Sequence, residues 1–472
     1  MIESTVRGKN CYSRVVSGEK YTPMSLYRKL GGIALLESAS FGMGRGRHSL
    51  LLVKEAFTIV DEGGRISLST REGRERWEGE GDILDACMAY ARFHENSEGR
   101  GDQPFPAGGI GYLSYEYVRN FEEVELREKP DSLGIPDACF VFGHLFLIFD
   151  HYRDTITILG LNYPGHEISL ERAVDEVEHR LHDLDFNYMN TSRRQYESVS
   201  LVGEGEEERF LDGVVRVRRE IEKGNLLQGV LSRRLIVRTE LPSLEAYGRL
   251  RSLNPSPYMF FLDFGDFQFF GSSPEIHVKV EGRRVISRPI AGTRPRGKDR
   301  AEDLVLEEEL LADEKERAEH LMLVDLARND IGRVCEPGSV KVTEYMGIER
   351  YSHVMHIVSQ VEGTLAAGVP GVEAIRKTFP AGTVSGAPKI MAMEIIDSLE
   401  RDKRGFYAGV VGYMEPDGSL DTCIAIRSGL KRDDLLTLQA GAGIVYDSVP
   451  QREYAETAAK LRAFGASLGV EV

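Results

Sequence analysis

Residues 313–330, DEKERAEHLMLVDLARND, impose the strongest limit on how this chain folds. The run holds neither Gly nor Pro and is rich in strong helix formers, so it predicts about four to five turns of helix. Glu316 and Glu319 stand three apart and share one face, along a row that continues through His320, Leu323, Leu326 and Ala327. Residues 321–327 are apolar nearly all round, which predicts a buried helix. Two carboxylates at the mouth of such a helix are costly unless a cation meets them. A hard ion such as Mg²⁺ takes one or two carboxylates together with water and an anionic ligand. A second run, REYAETAAKLRAF, repeats the design: Glu453, Glu456 and Lys460 share one face, while Tyr454, Ala458 and Leu461 form the apolar one. Periodicity alone leaves both pairs open between a metal-facing site and a solvated acidic face.

Composition narrows the partners. The chain has 472 residues, 42% hydrophobic and 28% charged, which leaves room for more than one domain with a sizeable core. A net charge of -16 argues against non-specific binding to nucleic acid or an anionic membrane. An anionic substrate would need a local basic pocket or a metal. Cys11, Cys87, Cys139, Cys335 and Cys423 are scattered without a CxxC, which predicts reduced thiols in a cytoplasmic setting. No signal peptide is expected, and no apolar run approaches membrane-spanning length.

Strand patterns dominate the first half and alternate with helices in the second, so the fold class reads as α+β with large antiparallel sheets. Residues 33–36 and 49–53 predict a hairpin across a glycine-rich loop, GMGRGRH. The polar stretch 185–207 reads as a linker. RPIAGTRPRG, with Arg288, Arg294 and Arg296, is a basic loop that fits anion contact or solubility alike. FPAGTVSGAPK precedes an apolar helix and is able to offer amides and hydroxyls to an anion. His353 and His356 stand three apart, without the cysteines or third ligand of a zinc site.

DEKERAEHLMLVDLARND, RPIAGTRPRG, VMHIVS, FPAGTVSGAPK, YAGVVGY and AETAAKLRAF, in this order, resemble the chorismate-utilising enzymes, most closely the large subunits of anthranilate synthase. The likeness is dense over 205–465 and reaches the N-terminal part through LLES (35–38) and GGIGYLSYEYVR. It implies a two-layered β-sandwich with flanking helices, an N-terminal region over 1–190 and a chorismate-binding catalytic domain over 205–467. It also implies that Glu316, Glu319, Glu453 and Glu456 hold Mg²⁺ against the ring carboxylate of chorismate. Arg427 and Tyr407 then match the groups that hold the side-chain carboxylate, Gly441 and Gly443 match backbone donors, and Lys460 matches a further carboxylate partner. Thr383 matches a hydroxyl near the ring carboxylate. Glu275 falls on the acid that expels the ring hydroxyl, and His356 on the histidine of pyruvate elimination, where an imidazole titrating near neutral pH is expected.

Two positions sharpen the comparison. Isochorismate and salicylate synthases carry a water-activating lysine where this chain has Gln228, and a glutamine cannot deprotonate water, so ammonia is the better nucleophile. Many aminodeoxychorismate synthases carry a nucleophilic lysine where this chain has Ala291. LLES and NPSPYMFF resemble a tryptophan feedback site, which assigns Glu37, Ser38, Pro257, Tyr258 and Met259 to that inhibitor. His48 or its Arg-rich neighbours replace a lysine that several relatives carry there. No glutamine amidotransferase signature is present, so ammonia is expected free or from a partner amidotransferase subunit. The rivals are an aminodeoxychorismate synthase and an inactive tryptophan-binding regulatory subunit.

Overall fold

The computed structural model describes residues 5–470 apart from 8–9, 41–43, 98–101, 184–194, 202, 204 and 352–353. His353, Gly42 and Met43 of the glycine-rich loop, and much of the linker stretch thus lie outside the described residues.

Strand Ala138–Asp150, ACFVFGHLFLIFD, is buried along its whole length, and its alternation explains why. Leu145, Leu147 and Phe149 enter one core while Phe146 and Ile148 enter another. Leu51 and Phe261 make the same choice against their neighbours Leu50, Leu52, Phe260 and Leu262. Successive side chains point to opposite faces of a strand, so these sheets are covered on both sides. One core also takes in helices Ile83–Ala91 and Glu314–Gly332. The other is closed by helices Pro23–Leu30, Leu170–His182, Ser243–Leu253 and Pro450–Leu468. The result is the α+β architecture of antiparallel sheets with flanking helices, 23 strands joined in one network and two more in a separate small pair.

N-terminal strands are stitched into this network by distant partners. Ala34–Glu37 pairs antiparallel with His48–Glu62, as a hairpin requires, and on its other edge with Tyr258–Asp263. Ile110–Leu113 pairs with Val410–Met414. Residues from 1–190 and from 205–467 therefore share sheet hydrogen bonds.

Three expectations change. The linker stretch contains strand Ser198–Leu201, held by backbone pairing to Gln228–Thr239 at a sheet edge while its Val199 and Leu201 stay exposed. Helix Glu314–Gly332 is buried on one face only: His320, Leu323, Val324, Ala327 and Ile331 are inside, while Leu321 is 45% exposed. RPIAGTRPRG is a strand over Ile290–Pro295, and its arginines already have carboxylate partners. Arg288 meets Glu344 and Glu349, Arg294 meets Asp313 and Glu316, and Arg296 meets Asp303.

Candidate active site

A cavity of about 710 Å³ opens where the C-terminal strands meet helix Pro450–Leu468. Glu275, Thr383, Tyr407, Arg427, Gly441, Gly443 and Lys460 all line it. They come from six separate stretches of chain, so only the tertiary fold brings them together.

Glu275 follows strand Gln268–Ser273, and its backbone is fastened on both sides. Its carbonyl accepts from the Ile424 amide at 3.0 Å and its amide donates to Ser273 Oγ at 3.3 Å. The carboxyl is 7% exposed, and burial pushes its pKa up to about 8 against the weaker pull of Thr383 and Arg427. Glu275 is therefore mainly a protonated acid at neutral pH. Thr383 Oγ1 is close enough to ease that shift but meets hydrogen-bond geometry with no group, and is a buried orphan.

Arg427 sits between strands Leu420–Ile424 and Ser428–Arg432 with a φ of 47°. Such a left-handed conformation is strained for a side chain with a Cβ. Its guanidinium is open to the cavity but walled in by protein, which lowers its pKa, with Tyr351 and Glu275 opposing. Among the described residues no hydrogen bond or ion pair engages that side chain. An unpaired guanidinium facing an open cleft is a ready anion anchor.

Tyr407 is buried and its pKa is pushed up to about 12, so it is a hydroxyl donor, held by the Gly441 amide. A Cβ on Gly441 would come within 2.8 Å of that hydroxyl, and one on Gly443 within 2.4 Å of Gln228 Nε2. Close approach is why both positions take glycine. Gln228 Oε1 is buried without a partner. Lys460 donates to the Gly441 carbonyl at 2.9 Å and pairs with Glu456 at 2.8 Å.

His356, on strand Val354–Thr364, packs edge-on against Tyr351 at 5.3 Å. Its Nδ1 lies 2.8 Å from the Gly292 carbonyl, which makes Nδ1 the protonated nitrogen and leaves a lone pair on Nε2. Burial, aided by Arg427, pushes its pKa down to about 4. The expectation of titration near neutrality is thus corrected: His356 is a neutral imidazole there.

The Asp313 side chain caps helix Glu314–Gly332 by accepting from the Lys315 and Glu316 amides, which sets Glu316 in the first turn. Burial raises the pKa of Glu319, and the charges of Glu316, Glu456 and Glu453 push the same way against Lys315. The two ExxE faces therefore sense one another. Lys315 lies 3.8 Å from Glu319 and Arg294 3.4 Å from Glu316, so local cations share the charge. Among the described residues no three Asp, Glu, His or Cys side chains close into a metal cage. The donor set is all carboxylate oxygen and carries excess negative charge. That fits a hard divalent cation completing its shell with water and an anionic ligand.

A second cavity, of about 600 Å³, gathers Glu37, Ser38, Pro257, Tyr258 and Met259 with His48, Lys279, Tyr413 and Asp421. Its charged groups are already paired. Glu37 accepts from Arg251 at 2.7 and 2.9 Å and from Tyr247 at 2.8 Å, so its carboxylate is saturated. Lys279 pairs with Glu281 and Asp421.

Sequence reading passed over Tyr351 and Gln439 and gave Asn254, Pro255 and Ser256 of NPSPYMFF to the tryptophan motif alone, yet all of them line the first cavity. None carried a spacing signal, since each reaches the void through long-range packing.

Residues 46–466 match the family described as chorismate binding enzyme. The chain is 55% identical to anthranilate synthase component 1 of Spirochaeta aurantia over 463 residues, covering 97% of this chain and 95% of that protein. It is 41% identical to anthranilate synthase component 1 of Aquifex aeolicus over 460 residues, covering 94% and 91%. Anthranilate synthase component I from Streptococcus pneumoniae superposes with a TM-score of 0.80 at 36% identity, over 89% of this chain and 92% of that one. The menaquinone-specific isochorismate synthase MenF of Escherichia coli shares the fold at 17% identity, with a TM-score of 0.73 over 99% and 96%.

Proposed function

The chain belongs to the chorismate binding enzymes, and we propose that it converts chorismate and ammonia to anthranilate and pyruvate, as a lyase of the anthranilate synthase type. The observation that carries this reading is a carboxyl held protonated beside an unpaired guanidinium in one cavity. Chorismate is a dicarboxylate with a ring hydroxyl to be expelled, and those two groups answer its two needs.

Arg427 and the Tyr407 hydroxyl hold the side-chain carboxylate, with the Gly441 and Gly443 backbone and Lys460 alongside. Glu275 gives its proton to the ring hydroxyl, which leaves as water while ammonia forms the new C–N bond. Thr383 stands next to that acid. Gln228, packed against Gly443, cannot act as the base that would generate a competing hydroxide, and Ala291 offers no nucleophile. His356, neutral with its Nε2 lone pair, takes the ring proton as the enolpyruvyl C–O bond breaks and the ring becomes aromatic. Glu316, Glu319, Glu453 and Glu456 would hold Mg²⁺, which supplies positive charge at the ring carboxylate when bound.

The second cavity is proposed to take tryptophan as a feedback inhibitor. Glu37, Ser38, Pro257, Tyr258 and Met259 supply its walls, with the saturated Glu37 acting as a wall and not as a free base. Ammonia is proposed to come from a partner amidotransferase subunit. The five unpaired, buried cysteines fit a reducing, cytoplasmic setting, and among the described residues no helix is long and apolar enough to cross a membrane.

The test is anthranilate fluorescence from the purified chain with chorismate, Mg²⁺ and ammonium, with and without tryptophan or a chelator. Anthranilate production that stops on chelation and falls with tryptophan is expected. Chorismate consumed without anthranilate would move the reading to aminodeoxychorismate or isochorismate synthesis. Untouched chorismate would favour a regulatory subunit.

A further inference from the structure

Arg404 heads the large side chains that are fully buried, at 2% exposure or less, yet no role above uses it. An interior arginine is expensive unless all its donors are met. Here four of its five N–H donors are met by groups that frame the cavity. Nη1 donates to the Val384 carbonyl at 2.7 Å, next to Thr383, and Nη2 to the Val230 carbonyl at 2.6 Å, on the strand that begins at Gln228. Val384 and Val230 both line the void. Nε and Nη2 also donate to Glu400 at 2.8 and 2.7 Å. The guanidinium lies 4.5 Å from the Tyr115 ring centroid and 5.7 Å from that of Tyr407.

Glu400 extends the frame. It accepts from the amide and the hydroxyl of Ser232, each at 2.8 Å, and Ser232 Oγ accepts from Gln439 Nε2 at 2.8 Å. Gln439 is itself a wall of the cavity. One cation therefore ties together the Thr383 turn, the Gln228 strand, Gln439 and the Tyr407 ring. Four donors in one rigid plane are available to arginine and not to lysine.

We infer that Arg404 is a positioning residue for the substrate-binding cavity, acting through Tyr407: it fixes the ring from behind and strengthens its hydroxyl as a donor to the anionic substrate. The inference rests on the proposed reading of the cavity as a chorismate site. Its charge opposes the burial that raises the Tyr407 hydroxyl, which is the direction a stronger donor needs. A role confined to folding would leave the cavity's affinity for substrate unchanged in whatever protein remained folded.

The experiment is a double-mutant cycle on the full chain, with chorismate KM, kcat and Tm for Arg404→Lys, Tyr407→Phe and the pair. Arg404→Lys is expected to raise KM about tenfold, the size of one good hydrogen bond, with kcat moving less. In the Tyr407→Phe background most of that rise is expected to vanish. Independent, additive effects on KM, or a fall in Tm with KM unchanged, would overturn the inference. Should Arg404→Lys not fold, Glu400→Gln loosens the same guanidinium while keeping its charge, and the same cycle applies. Wild-type protein that makes no anthranilate would instead overturn the functional reading on which this rests.

Discussion

The two cavities are close in volume, about 710 and 600 Å³, and differ in whether their main charged groups already have partners. In the first, Arg427 is unpaired, Glu275 is protonated, and Thr383 Oγ1 is left without a partner. In the second, Glu37 accepts from Arg251 and Tyr247 and Lys279 meets two carboxylates, while Asp421 Oδ1 and His48 Nε2 stay buried without a hydrogen-bond partner. Unmet polar groups are costly in an empty site and become favourable when a complementary charge arrives, which is the condition for differential stabilisation of a reacting anion. Paired groups cost little when empty and contribute shape more than charge. The first cavity is arranged for chemistry on a charged ligand. On the proposed reading, the second takes a ligand recognised more by shape than by charge.

That contrast breaks most sharply at Glu275. Glu275→Gln keeps the volume and removes the proton donor, so kcat is expected to fall by about 10²–10⁴-fold. The same change is expected to stabilise the fold. The folded-state pKa of about 8 lies above the ordinary 4.5, so the folded chain binds the extra proton between those values. Stability contributed by that proton is present at low pH and is lost as pH rises through about 8. At pH 7 the substitution should therefore raise stability by up to about 3 kcal/mol, read by denaturant titration. An unchanged or lower stability would mean that Glu275 is ionised in the fold. Wild-type kcat should decline above about pH 8 for the same reason.

Arg427→Met removes the anchor charge. Chorismate KM is expected to rise about 100-fold, a loss of about 3 kcal/mol for a charge-assisted contact. A Kd for chorismate that stays at the wild-type value would remove Arg427 from the anion site. Ser38→Phe fills the other cavity and tests the contrast from that side. Tryptophan inhibition should weaken by at least about tenfold while kcat and KM stay near wild type. A parallel loss of turnover would show that the second cavity is not separable from the first.

Much of this was legible before any coordinates. Local spacing put Glu316 with Glu319 and Glu453 with Glu456, because i, i+3 on a helix is a local geometric fact. Alternation announced antiparallel sheets for a similar reason. Contacts between distant segments were not legible. Arg288, Arg294 and Arg296 read as a free basic loop until Glu344, Glu349, Asp313, Glu316 and Asp303 were found beside them. His356 read as a neutral-range titrator until burial and Arg427 set it near 4. Arg404 read as one more charged residue, because a guanidinium's burial depends on carbonyls some 20 and 174 positions away.

By itself, the sequence determined element types, the pairing of carboxylates along each helix, the absence of a water-activating lysine at Gln228, and the family resemblance. These follow from residue identity and from periods that act over a few positions. Only the tertiary structure decided which charges are paired and which are left open, and so which cavity is fitted for chemistry. Protonation and anion affinity depend on burial and on neighbours across the fold, and those are properties of three-dimensional packing.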